Sequence, residues 1–492
     1  MKDLKEKTIR GGFARILAQA ANFSLRIGSL MILARLLDPK DFGLVGMVTA
    51  FTGVLNLFRD FGLSTATVQR VIVTEEQLST LFWINIAFGG ALAVVVVVLA
   101  PVIADFYHEP RLFWVAVVLA TGFLFNAAGI QHSAVLQRHM RFTDLATINI
   151  VAVVVSSGVA IGMAKAGYGY WALVVMTVTF PLASTIGMWL SAGWVPGLPR
   201  REIGLRSMMR FGGTITLNGV VVYIAYNFEK VLLGRFWGAD AIGIYGRAYQ
   251  LVNIPTDNLN GAVGEVAFSA LSRIQDDPAR LRNYFLKGYS LVLALTIPIT
   301  LVSTIFAKDA IYVLLGEKWR EAVPIFRLLA PTIMIFAMIN PFSWLLFATG
   351  KVVRSLKIAL VIAPLVIAGY VLGLPYGPKG VALGYSSAMA LWLLPNVAWC
   401  VHGTAISFWD VMKSLGRPLI SGCVACILPL VFQLAYGQAL SPLTRLVIGI
   451  TVFVAVYLIM LLYAMGQEAF YVNLVRGLRS RPTEQASLAL AE

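Results

Sequence analysis

A stripe of polar side chains runs along one predicted helix near the amino terminus. Its members are Arg15, Gln19, Asn22, Arg26 and Ser29. They recur at steps of four, three, four and three residues, which places all five on one helical face. An Arg guanidinium offers a planar fork of donors that suits phosphate. The stripe therefore predicts a polar surface able to bind an anion.

Arg26 lies near the middle of an apolar run. An unpaired guanidinium at that depth in a bilayer costs about 2.5–3.5 kcal/mol on insertion scales. We therefore expect Arg26 either to face a water-filled cavity or to pair with a carboxylate.

A second polar stripe follows about 230 residues later at helical steps. It comprises Arg247, Gln250, Asn253, Asp257 and Asn260. Pro255 lies among them and removes a backbone donor, so a kink or hinge is expected there. Asp257 is a candidate partner of Arg26 or a candidate site for a coupling cation or proton. The alternative is a buried Asp satisfied by its neighbours.

The two stripes together predict the lining of a cavity. The predicted lining residues are Gln19, Asn22, Arg26, Arg247, Gln250, Asn253 and Asp257. Residues considered for coupling or gating are Asp257, Pro255, Arg59, Glu229, Lys230 and Arg327. For Glu229 and Lys230, snorkelling to the outer surface is the alternative interpretation. Arg59 and Arg327 fit interfacial anchoring as well, and Arg35 and Arg235 are expected to be structural.

No pattern typical of catalysis, a metal site or a cofactor site is found. Cys423 and Cys426 form a C-x-x-C without a second ligand pair, and Cys400 is also in an apolar context, so packing roles are expected. His108 and Glu109 precede a proline and lack a second His at metalloprotease spacing. We therefore expect a protein that is not an enzyme and that needs neither metal nor cofactor.

Composition places the chain in a membrane. Of its 492 residues 59% are hydrophobic and 13% are charged, and the mean hydropathy is +0.79. A water-facing surface needs more charge than this. The apolar runs are about 20 residues long, enough to cross a hydrocarbon core as helices. The predicted fold class is all-α and polytopic, with about fourteen transmembrane helices.

The fourteen predicted spans are separated by short connections. They are 13–36, 42–62, 79–103, 111–131, 146–165, 171–192, 211–235, 242–268, 286–306, 322–347, 353–374, 379–401, 414–436 and 443–465.

Basic residues indicate the orientation. With the amino terminus inside, Lys and Arg concentrate in the interior segments, as the positive-inside rule requires. Both termini are therefore expected in the cytoplasm. The net charge of +15 reflects this bias and attraction to anionic headgroups. A nucleic-acid partner is not expected, because no basic stripe interleaved with aromatics stands outside the bilayer.

An internal repeat divides the chain. At a shift of 200, Leu33, Arg35, Gly43 and Gly46 match Leu233, Arg235, Gly243 and Gly246; at a shift of 210, Gly167, Ala172 and Leu173 match Gly377, Ala382 and Leu383. Spans 1 to 6 thus correspond to spans 7 to 12. Because six is even, the copies are parallel repeats, with a cleft expected between them.

The repeat predicts the domain organisation. A six-helix lobe at 1–200 is followed by a second at 201–405, by two additional helices at 406–470 and by a short cytoplasmic tail at 471–492. Two Gly-x-x-x-Gly motifs, Gly158 to Gly162 and Gly380 to Gly384, allow close helix approach within this arrangement.

Several phrases resemble a known family. They are ARLLDPKDFGLVGMV at 34–48, DFGLSTATVQ at 60–69, LQRHMRF at 136–142 and GYGYWALV at 167–174. With six plus six plus two spans, the chain resembles the polysaccharide transporter branch, the Wzx-type oligosaccharide flippases, of the multidrug/oligosaccharidyl-lipid/polysaccharide exporter superfamily.

The resemblance implies a function. It implies export of an undecaprenyl-diphosphate-linked oligosaccharide across the bacterial cytoplasmic (inner) membrane, with spans 1, 2, 7 and 8 lining the cavity. Implied partners are this lipid-linked substrate, membrane lipids, and a polysaccharide polymerase with its chain-length machinery. A lipid II flippase and a multidrug or cation antiporter on the same fold are the alternatives. A membrane enzyme is disfavoured, because neither a reactive constellation nor a sizeable exterior loop is found.

Overall fold

The computed structural model describes residues 2–59, 64, 67, 74–199, 205–436, 440–468 and 471; within them, side chains at 2–18, 205–218, 259–262, 265–266, 352 and 434–436 are not described. Every regular element of this described part is helical. The predicted tail therefore lies outside the described residues except at position 471. The side chains of Arg15 and Asn260 lie outside them as well.

The helices follow one another with few residues between them. One long helix, Leu205–Arg273, contains Gly238 with φ 80°, so it consists of two helices, α7 (205–237) and α8 (239–273). The others are α1 (Lys2–Leu36), α2 (Pro39–Asn56), α3 (Glu75–Tyr107), α4 (Leu112–Arg138), α5 (Phe142–Lys165), α6 (Trp171–Ala192), α9 (Pro278–Ile305), α10 (Ala307–Leu314), α11 (Ala322–Leu329), α12 (Pro331–Ala348), α13 (Val352–Gly373), α14 (Gly377–Val401), α15 (Phe408–Ala425), α16 (Ile427–Tyr436) and α17 (Pro442–Ile459).

The predicted spans coincide with these helices. Span 10 is divided between α11 and α12, and span 13 between α15 and α16. Nine stretches of the described chain are apolar and long enough to cross a membrane, and one of them contains both α13 and α14. The all-α polytopic fold is thus confirmed. The short helix α10 and the turn Glu317–Trp319 were not predicted.

Polar residues at helix starts set several boundaries. Asp38 precedes α2, where its backbone N–H donates to Asp41 and Pro39 occupies the first turn. Thr74 and Gln77 form the same reciprocal capping arrangement before α3. Such caps satisfy backbone N–H groups that have no partner within the helix. They let these helices begin at a defined residue.

The loop between α3 and α4 is held by an ion pair outside the spans. Arg111 donates two hydrogen bonds to the carboxylate of Glu109, at 2.7 Å each. These bonds hold the pKa of Glu109 below its usual range. The Arg111 guanidinium also lies 5.9 Å from the ring centre of Tyr170, just before α6.

The first of two compact units contains residues 1–248, 314–325 and 356–388. Within it α1 contacts α5, α3 contacts α4, and α6 contacts both α4 and α5. The repeated Gly167 and Gly377 both adopt positive φ, 82° and 71°. Gly167 lies shortly before α6, and Gly377 is the first residue of α14. Glycine is the residue that adopts this conformation at no steric cost, which explains its presence at both positions.

Repeated glycines also bring α2 and α8 together in this unit. A Cβ on Gly43 would lie 1.8 Å from the carbonyl oxygen of Ala239, and a Cβ on Gly243 would lie 1.8 Å from that of Pro39. Pro39 and Ala239 are themselves related by the 200-residue shift. The contact is therefore reciprocal, as in an interface with twofold symmetry.

The second unit contains residues 249–313, 326–355 and 389–492. In it α9 contacts α12, α15 and α17. The Tyr457 hydroxyl donates to the carbonyl of Ala294 at 2.8 Å, within a buried cluster that includes Ala425 and Phe453. The two additional helices predicted at 406–470 are thus packed on α9. The lobe boundaries predicted from the repeat remain a prediction.

Candidate functional site

The polar face of α1 begins a hydrogen-bonded chain inside the first unit. Arg26 Nε donates to Asn22 Oδ1 at 3.1 Å, and Asn22 Nδ2 donates to Asn149 Oδ1 on α5 at 2.6 Å. The four-residue step from Asn22 to Arg26 places both on one helical face. Asn22 thus uses both ends of its amide and is fixed between the two helices.

The Arg26 side chain is exposed, and its Nη donors take no part in the hydrogen bonds that link Arg26, Asn22 and Asn149. Besides Asn22 it contacts Phe180 of α6, with the guanidinium carbon 5.7 Å from the ring centre. Within the described residues Arg26 forms no ion pair, and its Nη groups have no hydrogen-bond partner. A fork of charged donors is thus available to an anion.

A polar pocket lies beside this chain. Its volume is about 410 Å³, and it is lined by Gln19, Asn22, Gln137, Phe142, Leu145, Ala146 and Asn149. Four of these side chains are primary amides, which both donate and accept hydrogen bonds. Phe142 and Leu145 supply an apolar wall. The pocket thus combines polar groups that can orient a ligand with an apolar wall.

Two of the predicted cavity residues, Gln19 and Asn22, line this pocket, and Arg26 adjoins it through Asn22. Sequence reasoning missed Gln137, Phe142 and Asn149. Asn149 carried a usable signal, because it is an amide within predicted span 5 and polar residues inside membrane helices are rare. Asn149 belongs to no repeating polar stripe, so helical periodicity does not reveal it.

The predicted stripe on α8 does not share one environment. The Arg247 guanidinium lies 4.4 Å from the ring centre of Phe42 on α2, and that ring meets Trp319 edge-on at 5.3 Å. Gln250 and Asp257 are exposed and Asn253 is half-buried. Arg247 thus rests on an aromatic pair, a favourable cation–π arrangement.

Polar residues of α7 form a further cluster in the first unit. Lys230 Nζ donates to Asn227 Oδ1 at 2.7 Å, and Asn227 Nδ2 donates to the carbonyl of Tyr223 at 3.0 Å. Glu229 beside them is only 1% exposed. The snorkelling interpretation is therefore wrong for Glu229, whose carboxylate is enclosed by packed helices.

The remaining gating candidates have simpler surroundings. Arg59 and Arg327 are exposed, as interfacial anchors would be. The chain remains helical through Pro255, and the non-helical residue between α7 and α8 is Gly238. Among the described residues no group of three or more His, Cys, Asp or Glu could hold a metal ion.

Comparison with known protein families places these features in context. The model of a family described as "Polysaccharide biosynthesis protein" matches residues 32–324, more than half of the chain. The chain belongs to this family. The match confirms the resemblance drawn from the sequence phrases.

Two relatives are similar over long stretches. The lipopolysaccharide biosynthesis protein WzxC of Escherichia coli (strain K12) is 28% identical over 389 residues, which cover 78% of each chain. The teichuronic acid biosynthesis protein TuaB of Bacillus subtilis (strain 168) is 34% identical over 298 residues, which cover 59% of this chain and 61% of TuaB.

A solved structure shares the fold. The lipid II flippase MurJ in an inward closed conformation superposes with a TM-score of 0.73 at 15% identity. The alignment covers 94% of this chain and all of that one. The likeness extends over nearly the full set of helices and supports a multi-pass membrane protein of this transporter fold.

Proposed function

We propose that this protein is a flippase that moves an undecaprenyl-diphosphate-linked oligosaccharide across the cytoplasmic membrane by alternating access. The cargo class is an exopolysaccharide, capsule or O-antigen repeat unit. The family and the fold both support this assignment. The observation that carries it is the amide-lined pocket beside the uncommitted donors of Arg26.

The chemistry of the cargo explains why these groups are needed. Sugar hydroxyls and a diphosphate lose water on entering the membrane and require replacement hydrogen bonds. The amides of Gln19, Gln137 and Asn149 suit hydroxyls, and the Phe142 ring suits the apolar face of a sugar. Arg26 suits the diphosphate, which its charged donors bind strongly. The lipid tail needs none of these groups and stays in the bilayer.

The proposal includes a topology and partners. Both termini lie in the cytoplasm of a bacterial cell, and the membrane is the inner one. The protein transports and does not catalyse, so the linked saccharide leaves chemically unchanged. A polysaccharide polymerase and its chain-length machinery then act on the exported unit.

Lipid analysis of a deletion strain tests this function. Undecaprenyl-diphosphate saccharides are extracted and identified by mass spectrometry after the gene is deleted. One completed oligosaccharide is expected to accumulate, and the wild-type gene is expected to clear it. An Arg26→Ala variant should clear it about tenfold more slowly or worse, because hydrogen bonds to charged groups contribute about 1.5–3 kcal/mol.

Arg320→Ala is the matched control, because Arg320 is exposed and follows the short turn Glu317–Trp319. It should clear the saccharide as the wild type does. Accumulation of lipid II would instead indicate a lipid II flippase. Drug sensitivity without any accumulated lipid-linked sugar would favour the antiporter and contradict the proposal.

A further inference from the structure

Glu229 is an acid buried among the helices of the first unit. It lies on α7 with 1% of its surface exposed, and neither carboxylate oxygen has a hydrogen-bond partner among the described residues. An isolated ionised carboxylate in an apolar environment is far more costly than a neutral acid. Burial therefore favours the protonated acid in this conformation.

A tyrosine from α3 closes over this region. The Tyr107 ring packs on α7 so closely that a Cβ on Gly234 would lie 2.4 Å from Tyr107 Cε1. Its buried hydroxyl has no partner among the described residues and interacts electrostatically with Glu229. Tyr223 also interacts with Glu229, but its hydroxyl already donates to the carbonyl of Thr49 on α2. Tyr107 is thus the neighbour with an uncommitted hydroxyl.

Positive charge lies beside the acid on Lys230. Lys230 on α7 interacts electrostatically with Glu229, while its ammonium is hydrogen-bonded to Asn227. Arg247 on α8 adds a second positive charge near Lys230. From α2, the neighbouring side chain on Tyr107 is the uncharged Phe51, with ring centres 5.9 Å apart. Once water reaches the site, hydration stabilises the ionised carboxylate beside the Lys230 ammonium.

These surroundings favour a proton over a metal cation. Hard cations require several oxygen ligands, and no cluster of three or more candidate ligands occurs in the described part of the chain. The Lys230 ammonium also repels a cation. A proton needs only one carboxylate lone pair.

We propose that Glu229 is a proton-binding site, occupied while α3 and α7 are in contact and emptied to water when that contact opens. The proton passes between the Glu229 carboxylate and water, and no other reactant is involved. The released state is a carboxylate beside the Lys230 ammonium. Use of this proton to drive transport rests on the proposed flippase function, whereas the binding site itself does not.

Infrared difference spectroscopy tests the site directly. The full-length protein is placed in lipid nanodiscs at neutral pH, and the C=O stretch of protonated carboxylic acids is recorded. The wild type should show a band that is lost in Glu229→Gln and in Glu229→Met, two variants of similar side-chain volume. Asp240→Asn removes an exposed acid two residues beyond Gly238 and should leave the band unchanged.

Two results would overturn the inference. Identical spectra for the wild type and both Glu229 variants would show that this carboxylate is ionised. Loss of the wild-type band on replacing choline chloride by sodium chloride at constant pH would show that a cation displaces the proton. Neither readout uses a saccharide, so a failure of the flippase proposal leaves this test intact.

Discussion

Arg26 and Glu229 show how packing separates two ionisable side chains of membrane helices. Arg26 is exposed, bonded to Asn22, and keeps donors for a ligand. Glu229 is enclosed, and its oxygens have no hydrogen-bond partner within the described residues. A charged group in a membrane needs water, a partner or neutralisation. Access to water fits Arg26, and neutralisation fits Glu229.

The pocket amide missed from the sequence makes a residue-scale prediction. Asn149→Leu removes the acceptor for Asn22 and one amide from the pocket lining. We expect clearance of the lipid-linked oligosaccharide to slow by up to about tenfold, since a hydrogen bond contributes about 0.5–1.5 kcal/mol. The measurement is the mass-spectrometric assay of the deletion strain.

Asn126→Leu is the control for this substitution. Asn126 lies on α4 and donates to the carbonyl of Gly122 in its own helix, and it does not line the pocket. It should transport normally. Equal slowing by both variants would mean that loss of any span amide has this effect, and it would count against the pocket.

The α2–α8 crossing explains the repeat at the scale of elements. Gly43 and Gly243 each leave room for a backbone carbonyl from the first turn of the other helix. Both helices therefore need a glycine four residues after their first residue. A reciprocal contact between related segments imposes the same steric requirement on both copies. The repeated glycines are therefore explained by one crossing.

Substitution at this crossing should be sharply position-dependent. Gly243→Ala puts a methyl group against the Pro39 carbonyl oxygen, whereas Gly246→Ala, one turn along α8, meets nothing within 4 Å. Overpacking of this kind costs about 1–3 kcal/mol or more. We expect Gly243→Ala to lose folded protein on heating in detergent, followed by size-exclusion chromatography, and Gly246→Ala to resemble the wild type. Equal stability of the two variants would contradict the close crossing.

At the scale of the molecule, a buried ion pair joins α10 and α17 of the second unit, which are far apart in the sequence. Asp309 of α10 is fully buried and accepts a hydrogen bond from Arg445 Nε of α17 at 2.8 Å. The two residues are 136 positions apart in the chain. The pair therefore ties the additional carboxy-terminal helices to the rest of their unit.

Breaking this pair should destabilise the protein strongly. Arg445→Ala leaves Asp309 buried without its cation, which costs about 3–5 kcal/mol. Lys318→Ala is the control, because the Lys318–Asp38 pair is exposed on both sides and worth about 0–1 kcal/mol. Survival of folded protein in a detergent heating series compares the two. A loss no greater for Arg445→Ala than for Lys318→Ala would contradict the argument.

Hydrophobic runs gave good predictions because they depend on local chemistry. A bilayer requires each backbone polar group to be bonded within its own helix, so length and hydropathy identify a span. Predicted span 6 and α6 both run from 171 to 192. The stripe of α1 was likewise predicted, because helical periodicity places Asn22 and Arg26 on one face. The division of α8 into differing environments was not, because periodicity does not tell which neighbour a face meets.

The sequence by itself determined the solvent of this protein, its helices and its repeat, since each follows from composition and spacing along one chain. Only the tertiary structure decided which of two similar sequence motifs forms a close helix contact. Gly380 and Gly384 pack against Gly373 and Gly369 of α13, whereas a Cβ on Gly158 or Gly162 would meet nothing within 4 Å. Contacts between other helices join Asn149 to Asn22 and enclose Glu229. Burial and partnership are properties of contacts between distant segments, and local spacing does not specify them.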